Sequence, residues 1–209
     1  MFPPLLLATR NPGKLSEMRE LLSGIPVDLL TPADIGPLPD VEEAGLTYSE
    51  NARLKAATLA RASGRWTLAD DTGLEVGALG GAPGLHSARL IPFNAGGPRP
   101  SDADRRRRLL DLLAPHPRPW TARFRCVVAL ASPEGEVDLA EGVCLGEIVP
   151  EERGSSGFGY DPLFLLEGMG KTMAELSTVE KNRLSHRARA VTALLPVLAR
   201  RMGFSVPSP

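Results

Sequence analysis

An unbroken apolar run, Leu5-Leu6-Leu7-Ala8, gives way to the polar Thr9-Arg10-Asn11-Pro12-Gly13-Lys14, after which Leu15, Met18, Leu21 and Leu22 recur at helical spacing up to Gly24. The pattern predicts a buried strand, a tight loop and a helix, with Asn11 as N-cap and Pro12 in the first turn. Pro32, Pro37 and Pro39 punctuate the connection to Thr47-Tyr48-Ser49-Glu50, a capping box that predicts an alanine-rich helix ending near Gly64. Residues 66–69 then predict a short, largely buried strand that stops in Asp70-Asp71-Thr72-Gly73, where Gly73 permits a sharp turn. Residues 78–97 read as loop and residues 101–113 as a helix. Ala122, Phe124, Cys126, Val128 and Leu130 alternate with Arg123, Arg125, Val127 and Ala129, the period of a strand with one more polar face. The turn Pro133-Glu134-Gly135 leads to a hairpin partner over 136–143, and residues 146–149 predict another strand. Past the glycine-studded loop of residues 154–162, a helix is expected over about 180–202. Its buried stripe is Leu184, Ala188, Val191, Leu195 and Leu198, and Pro196 should kink its axis.

Chemistry enters where this pattern delivers charge. Asp70 and Asp71 are expected at the carboxyl end of their strand, where open α/β sheets bind ligands. Adjacent strand residues point to opposite faces, so one aspartate should face a ligand while the other joins the supporting shell. The alternative is a turn capped by its own side chains. At the first helix, free amides beside Thr9, Asn11 and Lys14 should attract phosphate, although the glycine spacing of a Walker loop is missing and a simply capped helix remains open. Asn51 and Lys55 lie one turn apart on one face of the second helix, and Glu43 just before it could approach the two aspartates. Three carboxylates at a phosphate site would imply a divalent cation, and magnesium is expected because it uses few protein carboxylates together with substrate phosphate oxygens.

Composition narrows the field. At 209 residues and 43% hydrophobic, the chain suits one globular domain, or one domain with a distinct lobe. A net charge of -1 gives no reason to expect a nucleic-acid polymer or an anionic membrane as partner. The run Arg105-Arg106-Arg107-Arg108, interspersed with Asp102, Asp104 and Asp111, is expected to be a solvated helix face. Cys126 and Cys144 make neither a disulfide framework nor a metal cluster, so a reducing, cytoplasmic location is expected. The first residues have no basic leader and are too short to span a bilayer. Phe158, between Gly157 and Gly159, could stack on a base rather than pack in a core, and residues 181–187 supply hydrogen-bond donors.

Five motifs in order carry a resemblance: Thr9-Arg10-Asn11-Pro12-Gly13-Lys14 with Glu17; Glu43-Ala44-Gly45-Leu46-Thr47-Tyr48 with Asn51-Ala52 and Lys55; Ala69-Asp70-Asp71-Thr72-Gly73-Leu74; Gly157-Phe158-Gly159-Tyr160-Asp161-Pro162; and Lys181-Asn182 with Ser185-His186-Arg187. Together they closely resemble the inosine triphosphate pyrophosphatase family, whose members remove deaminated purine nucleoside triphosphates. The resemblance spans about residues 5–202. It implies an elongated α/β fold, a mixed sheet with flanking helices and two lobes around a central nucleotide-binding cleft, in one domain over residues 1–209. It further implies a cytoplasmic, magnesium-dependent homodimer that cleaves ITP, dITP and XTP between the α- and β-phosphates, releasing the monophosphate and pyrophosphate.

By motif position, Thr9, Arg10, Asn11, Pro12, Gly13, Lys14 and Lys55 would hold the triphosphate and Thr72 would touch the substrate. Glu43 and Asp71 would hold magnesium, with Asp71 also the catalytic base. Phe158, Gly159, Tyr160, Asp161, Lys181, His186 and Arg187 would surround the base. The chain departs from the family where Ser87-Ala88-Arg89 is followed by Leu90-Ile91 and a longer Pro/Gly insertion, and where the next helix carries arginines in place of asparagine. A pyrophosphatase of another nucleotide, or a nucleotide-binding regulator without turnover, are the rival readings.

Overall fold

The computed structural model describes residues 2–93 and 97–205. Residues 94–96, part of the expected 78–97 loop and its insertion, lie outside the described residues. The elements in chain order are β1 (Pro4–Leu7), α1 (Pro12–Leu21), β2 (Asp28–Leu30), α2 (Pro32–Ile35), α3 (Tyr48–Ser63), β3 (Trp66–Val76), β4 (Pro83–Gly84), α4 (Asp102–Leu113), β5 (Trp120–Ala131), β6 (Val137–Ile148), β7 (Phe164–Leu166), α5 (Thr178–Leu184) and α6 (His186–Met202). Short 3-10 turns at Gly77–Leu79, Ser87–Arg89, Asp161–Leu163 and Met173–Glu175 fill the connections. This is a mixed α/β fold, as expected. Its sheet runs β2-β1-β3-β5-β6-β7, with β4 paired to β3. β1 is parallel to β2 and β3, whereas β4 and β7 are antiparallel to β3 and β6.

Two compact units divide the chain, and β3, β5 and β6 each pass from one into the other. The first comprises Met1–Asp71, Cys126–Gly142 and His186–Pro209. Its core joins Leu5, Leu7 and Leu68 of the sheet and Cys126, Val128 and Leu130 of β5 to Met18 and Leu22, and to Ala190, Val191, Leu194 and Leu198 of α6. The second comprises Thr72–Arg125 and Val143–Ser185. There Leu74, Val76, Trp120 and Phe124 pack with Leu109 and Leu113 of α4, and the Phe124 and Phe164 rings meet at 4.5 Å between centroids. The period-2 alternation in β5 supplies both cores, Trp120, Ala122 and Phe124 to the second and Cys126, Val128 and Leu130 to the first.

The structure corrects the sequence reading in several places. β3 does not turn at Gly73 but continues to Val76, because Leu74 and Glu75 pair with β4 and the Leu74 amide donates to Ser87 Oγ at 2.8 Å. The expected strands over 136–143 and 146–149 are one strand, β6. The expected helix over 180–202 is two, since Ser185 is extended (φ -67°, ψ 156°) between α5 and α6. The hydrophobic stripe continues across that break, which is why it conceals the interruption. Residues expected as plain loop over 78–93 contain two 3-10 turns and β4. Among the described residues, no helix is long and apolar enough to cross a membrane.

Candidate active site

The first unit assembles charge around the middle of β3. β1 pairs with it only as far as Leu7 opposite Leu68, and the Ala8 amide donates to Leu68 O at 2.8 Å. Asp70 and Asp71 lie just beyond, past the carboxyl end of β1, the position that the ligand rule for parallel strands selects. Strand alternation sends them to opposite faces. Asp70 shares its face with Leu68 and accepts from Lys14 Nζ at 2.9 Å and from Arg187 Nη2 at 3.3 Å. Asp71 accepts from Asn51 Nδ2 of α3 at 3.0 Å.

Local sequence places each partner. Thr47 and Glu50 form the capping box of α3, which fixes the turn carrying Asn51 and Lys55. Lys55 Nζ then donates to Asp70 O at 3.0 Å and forms an ion pair with Glu43. At α1, the Asn11 side chain accepts from the amides of Gly13 and Lys14 at 2.9 and 3.2 Å. Two amides expected to stand free for phosphate are therefore engaged by the cap, and Lys14 together with the helix dipole carries the attraction for an anion. Thr9 Oγ1 accepts from the Asn11 amide, and exposed Arg10 pairs with Asp40.

Electrostatics separate the two aspartates. Burial opposes the Asp70 charge, but Lys14, Arg187 and Lys55 overcome it and hold the carboxyl far below the usual range. Burial pushes Asp71 above its ordinary value, the Asn51 hydrogen bond works against this, and Glu43 adds to it. Lys55 is raised: burial disfavours its charge, while Asp70 and Glu43 outweigh that penalty. Arg187, 1% exposed, is paired with both Glu17 and Asp70. Among the described residues no three His, Cys, Asp or Glu side chains converge as a metal site, so the expected trio of carboxylates reduces to Glu43 and Asp71, with Asp70 turned to its cations. A pair of neighbouring carboxylates, one buried and resisting ionisation beside the other, still fits a hard divalent cation that completes its shell with phosphate oxygens and water.

The second unit contains a different constellation. Phe158 is half-buried, and Lys181 Nζ lies 5.1 Å from the centroid of its ring. Its amide donates to Asp161 Oδ2 at 2.9 Å, and the same oxygen accepts from Lys181 at 2.6 Å. Gly157 has φ +78°, and a Cβ there would collide with the Asp161 carboxylate, so both conformation and space demand glycine. Tyr160 is buried and donates from its hydroxyl to Ser87 O at 2.8 Å, which braces the loop against the 3-10 turn Ser87–Arg89.

The sequence profile of the Ham1 family matches residues 5–197. The chain belongs to the Ham1 family. It is 48% identical over 190 residues to the dITP/XTP pyrophosphatase of Syntrophobacter fumaroxidans, an alignment that covers 91% of this chain and 79% of that protein. To the dITP/XTP pyrophosphatase of Bacillus subtilis it is 42% identical over 193 residues, covering 92% and 96%. Among solved structures, a HAM1 protein from Coxiella burnetii matches with a TM-score of 0.83 at 39% identity, over 95% of this chain and 100% of that one.

Within this Ham1 chain, the first unit brings together Lys14, Lys55, Glu43, Asp71 and Arg187, and the second brings together Phe158, Gly159, Asp161 and Lys181. Thr9, Arg10 and Asn11 form the loop and cap before α1, Pro12 and Gly13 open the helix, half-buried Thr72 follows Asp71 along β3, and buried His186 opens α6. Arg187, expected beside the base, has carboxylate partners on α1 and β3, and Tyr160 serves as a brace. Asp70 takes the supporting place expected of one aspartate, and with Glu17 it flanks Arg187. The inward side of the arginine run was missed, since it is only in part a solvated face: Arg107 and Arg108 are exposed, while Arg105 and Arg106 are half-buried. Helical spacing was the available signal, since Asp102, Arg106, Leu109 and Leu113 share the inward side of α4.

Proposed function

We propose that this chain hydrolyses non-standard purine nucleoside triphosphates, ITP, dITP and XTP, between the α- and β-phosphates, yielding the monophosphate and pyrophosphate. The observation that carries the reading is the opposition at Asp70 and Asp71: one carboxylate ion-paired with Lys14 and Arg187, its neighbour bonded to Asn51 and raised above its ordinary value by burial. Residues 1–209 would form one catalytic domain of two lobes, the first unit serving the phosphates and the second the base. Lys14 and Lys55 would exchange their carboxylate partners for phosphate oxygens, with Thr9, Arg10, Asn11, Pro12 and Gly13 shaping the loop around them and Thr72 touching the substrate. Magnesium held by Glu43 and Asp71 would neutralise phosphate charge. Asp71 would accept the proton of a water attacking in line at the α-phosphorus.

At the other end, Phe158 would stack on the purine and the peptide of Gly159 would lie against it. Lys181, positioned by Asp161, would offer its donors to the 6-carbonyl of hypoxanthine or xanthine. Adenine carries an amino group there and would set donor against donor, a mismatch of about 1–3 kcal/mol for each unpaired group. A homodimer in the cytoplasm completes the proposal, supported by the family resemblance and by two buried free cysteines. The test is magnesium-dependent release of pyrophosphate from a panel of triphosphates. Hydrolysis of ITP and XTP well above that of ATP is expected, and no turnover of any of them would refute the proposal.

A further inference from the structure

The arginine run of α4 has no part in the chemistry above, yet it reaches the loop that presents Phe158. Both polar atoms of Gly159 are engaged by that helix: its amide donates to Asp102 Oδ2 at 2.7 Å, and its carbonyl accepts from Arg106 Nη1 at 3.0 Å. The rest of the Arg106 guanidinium makes a fork with Glu152, Nε to Oε1 at 2.8 Å and Nη2 to Oε2 at 2.9 Å. One side chain thus ties the start of the loop to its far end, across the segment Gly154-Ser155-Ser156-Gly157. Such a fork is the geometry that arginine supplies and lysine does not. On the other side, the Phe158 amide is fixed by Asp161. The backbone of Phe158 is therefore secured before and after the residue, while its ring stays half-exposed.

We infer that Asp102 and Arg106 are positioning residues for base recognition, which pin the Gly159 peptide so that the Phe158 ring is held ready to stack. Without them, a loop with glycine on both sides of the aromatic ring would have to be ordered at each binding event, and that entropy would be drawn from affinity. Neither residue touches substrate. Their effect belongs in binding of the base and not in the chemical step or in the phosphate contacts. The inference rests on the proposal that Phe158 stacks on the purine.

The test compares the full-length magnesium enzyme with its Arg106→Ala, Phe158→Ala and doubly substituted forms, reading KM and kcat for ITP and inhibition by tripolyphosphate, which has no base. Arg106→Ala is expected to raise KM about tenfold with kcat within about twofold, and to leave tripolyphosphate inhibition within about twofold. In the Phe158→Ala background it should add nothing further, because the ring it positions is gone. Asp102→Asn keeps an acceptor for the Gly159 amide and should stay near wild type, while Asp102→Ala should raise KM. Should Arg106→Ala not fold, Arg106→Lys replaces it, with a rise of about threefold expected from loss of the fork. An unchanged KM for the folded Arg106 variant, an effect that multiplies with that of Phe158→Ala, or an equal loss of tripolyphosphate inhibition would each overturn the inference. If Phe158→Ala itself leaves KM unchanged, the stacking proposal falls and the inference with it. If Phe158→Ala raises KM and the Arg106 variants do not, the inference alone falls.

Discussion

At Asp71, burial pushes the carboxyl above its ordinary value, with the Asn51 hydrogen bond working against this and Glu43 adding to it. Asp71→Asn keeps the shape and the acceptor for Asn51 but removes the charge and the proposed base. Turnover of ITP is expected to fall by about 100-fold or more with the thermal midpoint little changed, as read by pyrophosphate release and calorimetry. Near-normal turnover in the folded variant would remove Asp71 from the mechanism. Glu43→Gln should raise the magnesium concentration needed for half-maximal rate, and a titration that matches wild type would refute its assignment. Arg187 makes a different demand. With Glu17 and Asp70 both buried around it, Arg187→Ala removes a cation that both carboxylates share, leaving Lys14 on Asp70, and denaturant unfolding should show a loss of about 3–5 kcal/mol. A loss below about 1 kcal/mol would mean that the ion pairs do not carry the local structure.

Elements were legible where their signals are local. Asn11, Thr47, Glu50 and Gly64 mark the ends of α1 and α3, and the structure places them as caps within a residue of expectation. Signals that depend on distant partners were not legible. The Gly73 turn was overridden by pairing with β4, and Ser185 interrupts a stripe that reads as continuous. Gly142, inside the expected hairpin strand, marks a close approach that the strand pattern does not reveal, since a Cβ there would lie inside contact distance of His186 O and Ala190 N at the start of α6. Gly142→Ala should therefore destabilise the protein by about 1–3 kcal/mol, and equal thermal midpoints would contradict that packing. Similarly, the Asp104 carboxylate caps α4 through Ser101 and is held below its ordinary value, first by the Ser101 hydroxyl and then by its amide. A depressed folded pKa gives stability that is complete above the unfolded value and lost as pH falls through the folded one. In Ser101→Ala the Asp104 titration should move back up toward the ordinary range, as NMR can follow. No movement would assign the shift elsewhere.

On the scale of the whole molecule, two apolar cores sustain two sets of polar chemistry. The residues proposed to meet the phosphates lie in the first unit with Leu7 and Leu68, and the Phe158 loop lies in the second with Leu163 and Phe164. Family membership and the motif order were legible over most of the chain because each motif is contiguous. The α4 clamp on Gly159 was not, because helical spacing turns Arg106 inward but does not say which distant backbone it meets. The account accordingly expects Phe158→Ala to weaken all purine triphosphates alike, while base choice stays with the donors. Its central claim is the reaction itself, tested most directly by kcat/KM for pyrophosphate release from ITP, dITP, XTP and ATP with magnesium. The first three are expected to exceed ATP by about a hundredfold or more, as donors left unpaired in a desolvated pocket would give. Equal rates with ATP, or orthophosphate in place of pyrophosphate, would contradict it.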